Sequence, residues 1–64
     1  MTYHITASDK YGTFAEQEAD TFEQALTCYR ALRRGFPNSV ASVSNIALAD
    51  GYHNGLTDEQ EEQL

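Results

Sequence analysis

The stretch Thr21-Phe-Glu-Gln-Ala-Leu-Thr-Cys-Tyr-Arg-Ala-Leu-Arg-Arg-Gly35-Phe36-Pro37 decides the fold. Phe22, Ala25, Leu26, Tyr29, Leu32 and Phe36 recur at three- and four-residue spacing, the apolar stripe of an amphipathic helix. Thr21 offers an N-cap hydroxyl, and Gln24 stands three residues on, in capping-box position. Asp20 and Glu23 put negative charge at the positive end of the helix dipole. Arg30, Arg33 and Arg34 put positive charge near the other end. Gly35 reads as the C′ residue and Pro37 as the stop.

Before the helix the period changes from three-to-four to two. Thr2 to Ala7 alternates, with Tyr3, Ile5 and Ala7 on one side and Thr2, His4 and Thr6 on the other, as in a half-buried strand. Ser8-Asp9-Lys10-Tyr11-Gly12 reads as a turn, and Thr13 to Ala19 as a second strand that closes a hairpin. One face of that strand takes Phe14, Glu16 and Glu18; the other takes Thr13, Ala15, Gln17 and Ala19. Glu16 and Glu18 therefore stand side by side, about 7 Å apart.

After the helix a third strand is expected within Val40 to Ala49. Val43 and Ile46 have opposite parity there, which calls for a bulge or for burial on both faces. Asp50-Gly51 and Asn54-Gly55 are turn dipeptides. The tail Leu56 to Leu64 has Thr57 as a cap and Gln60 three residues on, and is either a short helical turn or a frayed end. The order strand, strand, helix, strand, acidic tail predicts a small α+β domain over residues 1–64. Its architecture is a two-layer ββαβ unit: an antiparallel three-stranded sheet with one helix on one face.

A chain of 64 residues buries about 60% of the surface its unfolded form exposes. One core of that size rarely supplies more than about 3–5 kcal/mol of net stability. A lone cysteine, Cys28, excludes an intrachain disulfide and suits a reducing cytoplasm. The start Met1-Thr2-Tyr3-His4 has neither the basic run nor the apolar stretch of a secretion signal. The longest uncharged run, Gly35 to Ala49, is too short and too polar to span a bilayer.

Charge excludes more. Ten carboxylates against four basic residues give a formal charge of −6. Such a chain repels nucleic acid and anionic membranes and is attracted to basic surfaces. The carboxylates fall into two groups. Asp9, Glu16, Glu18, Asp20 and Glu23 belong to the hairpin and helix start; Asp50, Asp58, Glu59, Glu61 and Glu62 belong to the last third. Brought together, they would form a negative face able to imitate the phosphates of DNA and to occupy a basic groove. Partner binding is accordingly expected through Glu16, Glu18, Asp20, Glu23, Asp50, Asp58, Glu59, Glu61 and Glu62.

Catalytic chemistry finds no purchase. Cys28, on the shoulder of the apolar stripe, reads as a small core hydrophobe, and neither His4 nor His53 can be placed beside it by spacing. His4, His53, Asp9 and Asp50 lack any metal-ligand spacing. No enzyme, cofactor or metal is expected. The cluster Arg30, Arg33 and Arg34 could contact an acidic partner or nucleic acid, but reads first as dipole complementation plus pairing with local carboxylates. Tyr3, Tyr11, Phe14, Tyr29 and Tyr52 include more aromatics than the helix-facing core requires, and aromatics carry much of the energy at interfaces.

The run Gly12-Thr-Phe-Ala-Glu-Gln-Glu-Ala-Asp-Thr-Phe-Glu-Gln-Ala-Leu26, continuing into Tyr29-Arg-Ala-Leu-Arg-Arg-Gly-Phe-Pro37, resembles small phage-encoded proteins. With the size and acidity of the chain, the likeness is to anti-CRISPR proteins acting on the type I-C system. The resemblance is of the whole chain and transfers no individual residue. It implies a protein of the infected bacterium's cytoplasm that binds a Cas protein or the surveillance complex stoichiometrically. Target DNA binding or nuclease recruitment would then be blocked, in acidic members by DNA mimicry. The alternative, motivated by the mixed parity of Val40 to Ala49 and the surplus aromatics, is a small homodimeric structural or adaptor protein with no nucleic-acid connection.

Overall fold

A computed structural model describes residues 2–64. Strands β1 (Tyr3–Asp9) and β2 (Gly12–Ala19), helix α1 (Phe22–Gly35), strand β3 (Val40–Asn45) and helix α2 (Asp58–Glu62) follow one another along the chain. The strands form one antiparallel sheet in the order β2-β1-β3, and α1 covers one face of it. This is the two-layer α+β arrangement that the sequence predicts.

β1 is central because its alternation serves both neighbours. Tyr3, Ile5 and Ala7 turn towards α1 and are buried, while His4, Thr6 and Ser8 turn to the open face and are half-buried. The register sets Ile5 between Gln17 and Val43, and Tyr3 between Ala19 and Asn45. Tyr3, Ile5 and Val43 then meet Ala25, Leu26 and Tyr29 of α1 in one core. Removing a side chain such as that of Ile5 from water is worth about 1.5–3 kcal/mol. Phe22 packs edge-on against Tyr3 with ring centroids 5.8 Å apart, which fixes the start of α1 over the end of the sheet.

Thr21 caps α1 by accepting the Gln24 N–H at 3.2 Å. The return bond of the expected capping box goes one residue further back, from the Asp20 N–H to Gln24 Oε1 at 3.2 Å. At the other end the expectation is corrected. Gly35 is the last helical residue and has no positive φ; Phe36 is the cap, donating its N–H to the Leu32 carbonyl at 2.9 Å. Phe36 thus leaves the apolar stripe and packs edge-on against Phe14, with centroids 4.9 Å apart.

That contact corrects the assignment of Phe14 to the face of Glu16 and Glu18. The β1–β2 register shifts between Ala7 and Ser8, so Ala7 opposes Ala15 while Ser8 opposes Thr13. Phe14 is the extra residue, and the bulge turns its ring to the side where α1 ends. The hairpin is also tighter than the sequence suggests. β1 continues through Asp9, and Lys10-Tyr11 alone make the turn. Asp9 Oδ1 accepts the Tyr11 N–H at 2.7 Å, and Gly12 takes φ +114°.

β3 ends at Asn45, before the position that raised the parity conflict. Val43 is 1% exposed on the helix side, whereas Ile46 lies past the strand and is 50% exposed. Neither a bulge in β3 nor burial on both faces is needed, so the parity motive for a second copy is lost. The chain leaves through a loop built on Asn45, which is 2% exposed. Asn45 donates its N–H to the Asn54 carbonyl at 2.7 Å, and its carbonyl accepts from Leu48 at 3.1 Å and Ala49 at 2.8 Å. The tail is the short helix α2, held by a complete capping box between Thr57 and Gln60. Leu56 and Leu64 pack against the core on either side of it.

Candidate functional site

The topology sorts the charges by end. Tyr3, Ala19 and Asn45 form one end of the sheet, and α1 begins there. The hairpin turn and the start of β3 form the other end, where α1 finishes. Over its 14 residues α1 spans about 21 Å between them.

At the Tyr3 end, Glu18 opposes His4 on the face away from α1. Asp20 lies in the bend before α1, and Glu23 in its first turn. Gln60 of α2 donates from Nε2 to the Tyr3 hydroxyl at 3.3 Å, which brings Asp58, Glu59, Glu61 and Glu62 to this end. Asp50 sits in the loop that leaves and returns at Asn45. Glu16, opposite Thr6, lies midway along the open face. Apart from Asp9, at the hairpin turn, and Glu16, midway, the two sets of carboxylates therefore share an end of the molecule. They wrap from the open face round to the helix layer and do not lie on one flat surface.

The four basic residues lie away from that end. Lys10 is in the hairpin turn, and Arg30, Arg33 and Arg34 are in the second half of α1. The expectation that the arginines pair with local carboxylates is not met. Among the described residues the contact found is His53 Nδ1 with Asp50 Oδ1 at 3.4 Å, an ion pair only when the imidazole is protonated. Arg33 instead lies over the Tyr29 ring, 5.6 Å from its centroid, and reaches its hydroxyl at 3.5 Å. Dipole complementation remains: Arg33 and Arg34 occupy the last turn of α1.

The fold favours the charged form of Asp50. Its pKa falls below 3.8 because the backbone N–H of Tyr52, then that of His53, then the His53 ring, hydrogen-bond to the charged form. Oδ1 accepts those two N–H groups at 2.6 and 2.7 Å. This Asx-type turn orders the loop, and its carboxylate stays in solvent.

A second feature escaped the sequence. Phe14 and Phe36, 43% and 48% exposed, wall a cavity of about 270 Å³ together with Asp9, Gly35, Pro37, Asn38 and Ser39. It lies at the basic end, and Asp9 is the carboxylate on its wall. The only signal for it was the spacing of two aromatics on different elements, and the bulge that joins them has no local signature. Cys28 packs against the core. Among the described residues no three His, Cys, Asp or Glu side chains gather as metal ligands. Among the described residues no helix is long and apolar enough to cross a membrane.

Compared with protein-family models, with curated proteins and with solved structures, the chain matches none of them.

Proposed function

We propose that this chain is a stoichiometric, protein-binding inhibitor whose acidic end occupies the basic DNA-binding groove of a host protein. With the whole-chain resemblance to anti-CRISPR proteins, the partner class is a Cas subunit of a type I surveillance complex. One observation supports the reading above the others. Every carboxylate except Asp9 and Glu16 gathers at the Tyr3 end, and every Lys and Arg lies elsewhere.

Acidic groups neutralised by neighbouring cations would present little field. Groups left without cations project one, and such a field steers a small protein towards a basic groove and raises the association rate. The attraction weakens as salt rises. The acidic residues come from a strand, a helix start and a docked terminal helix, so their spacing is held by the fold.

The test is a competition. Target DNA binding by a purified type I-C surveillance complex is measured with the chain carrying Glu18→Lys, Asp20→Lys and Glu23→Lys, and separately Arg30→Ala with Arg34→Ala. Loss of inhibition is expected for the first set and retention for the second. Undiminished inhibition by the lysine variants would overturn the proposal.

A further inference from the structure

The two edges of the sheet are not equivalent. Ile46 donates its N–H to the Thr2 carbonyl at 3.0 Å, one step beyond the Tyr3–Asn45 pair. In an antiparallel ladder, hydrogen-bonded pairs alternate with non-bonded ones. His4, Thr6 and Ser8 therefore turn their backbone groups to β3, and Tyr3, Ile5 and Ala7 turn theirs to β2. On β2 the partners are Ala19, Gln17 and Ala15. The N–H and C=O of Glu16 and Glu18 then point outwards from the sheet.

The same parity turns Ala41, Val43 and Asn45 outwards on β3. That edge is closed over its second half. The Asn45 groups are taken by Asn54, Leu48 and Ala49, and Val43 is buried. The β2 edge is open, and Glu16, Gln17 and Glu18 are exposed along it.

We infer that the β2 edge from Ala15 to Ala19 accepts an extended basic segment of the partner as a fourth strand. Its backbone would pair with Glu16 and Glu18, and its Lys or Arg side chains would stand over their carboxylates. This inference rests on the proposal that the partner is basic, and adds the mode of attachment. A strand edge supplies main-chain affinity, and alternate side chains supply the choice of partner. Charge complementarity selects the occupant. A second copy added through β2 would set Glu16 and Glu18 against their own counterparts, and like charges directly opposite are destabilising. A strand with cations at alternate positions reverses that sign. The bulge at Phe14 ends the usable edge on one side, and the bend at Asp20 ends it on the other.

The probe is a synthetic peptide of about eight residues alternating Lys and Thr, the length of an ordinary strand. A control peptide of the same charge carries Pro at alternate positions. The full chain is also assembled by ligation at Cys28 with N-methyl groups on the Glu16 and Glu18 nitrogens. Those groups remove the outward donors and leave the carboxylates and the β1 ladder intact. In the free protein the Glu16 and Glu18 amides should exchange fast, and that of Gln17 slowly. Saturating Lys/Thr peptide should slow both glutamate amides about tenfold or more. N-methylation should weaken its binding by about tenfold, the scale of two backbone hydrogen bonds.

Failure to bind, binding that leaves both amides at their free rates, or equal binding by the proline control overturns the inference. So does protection that grows with protein concentration alone, which would mean self-pairing. The N-methylated chain also separates the two readings. If it blocks DNA binding while the lysine variants do not, edge pairing falls and the charge reading stands. If the lysine variants still block DNA binding while N-methylation weakens peptide binding about tenfold, the charge reading of inhibition falls, and pairing of the β2 edge with a basic strand stands on the peptide's own binding and amide exchange.

Discussion

The Tyr3 hydroxyl accepts a hydrogen bond from the Gln60 side-chain amide at 3.3 Å, joining the first strand to the last helix across 57 residues of sequence. A five-residue helix does not hold itself together in water. α2 persists because this bond, Leu56 and Leu64 tie it to the core. Tyr3→Phe keeps the ring and its contact with Phe22 and removes only the hydroxyl. The expected cost is about 1 kcal/mol. Amide exchange should show where it falls: the α2 amides should speed up well before those of β1. Equal acceleration in both elements would mean that the hydroxyl does not anchor the tail.

Gly55 carries a heavier constraint. Its φ is +76°, and an added Cβ would meet Leu48 C and Ala49 N at 2.8 Å and the Asn45 carbonyl at 2.9 Å. All three atoms are backbone and belong to the loop that Asn45 ties. Gly55→Ala should therefore cost more than the roughly 1–2 kcal/mol of the left-handed conformation alone. Gly51 has no positive φ and nothing within 4 Å of an added Cβ. Gly51→Ala should be neutral or stabilising by up to about 1 kcal/mol, through the unfolded chain. Urea denaturation of the pair measures the contrast, and similar midpoints would refute it.

Legibility in the sequence followed the range of the interaction. α1 was readable because cap, stripe and charge bias all lie within one segment. The alternation of Tyr3, Ile5 and Ala7 showed β1 for the same reason. What failed depends on a partner strand. The bulge at Phe14 exists only in the register with β1, so the Phe14–Phe36 contact had no local sign. The parity conflict of Val43 and Ile46 came from extending β3 past Asn45. The stop is set by side-chain and backbone bonds to a loop up to nine residues later. For the site, the carboxylates were visible one by one. Their common end was not, because it depends on Gln60 reaching back to Tyr3.

Asp50 gives a titration whose sign is fixed. Its folded pKa lies below 3.8, so its contribution to stability is present above the unfolded value and is lost as pH falls through the folded one. A carboxyl-carbon NMR titration should place the Asp50 midpoint below 3.8. Asp50→Asn should flatten the acid limb of the stability curve and leave the neutral plateau's slope unchanged. A midpoint at or above 3.8 would show that the Tyr52 and His53 amides do not hold the carboxylate in solution.

On the proposed function the acidic end sets stability against binding, and α2 is where the two can be separated. Asp58 and Glu59 open this helix, where its dipole favours anions; Glu62 closes it, where the dipole opposes them. Glu62 also stands four residues from Asp58 and three from Glu59, spacings at which like charges repel by about 0.2–0.5 kcal/mol a pair. Glu62→Gln should therefore stabilise the protein by about 0.3–1 kcal/mol. Asp58→Asn should not, because it gives up a favourable dipole contact. Added NaCl should raise the melting temperature of the parent chain and narrow the gap to the Glu62→Gln variant, since screening at about 0.5 M removes most of the repulsion. If the acidic end is the binding surface, the more stable Glu62→Gln protein should also associate with its basic partner more slowly at low salt. A variant both more stable and equally fast would place Glu62 outside that surface.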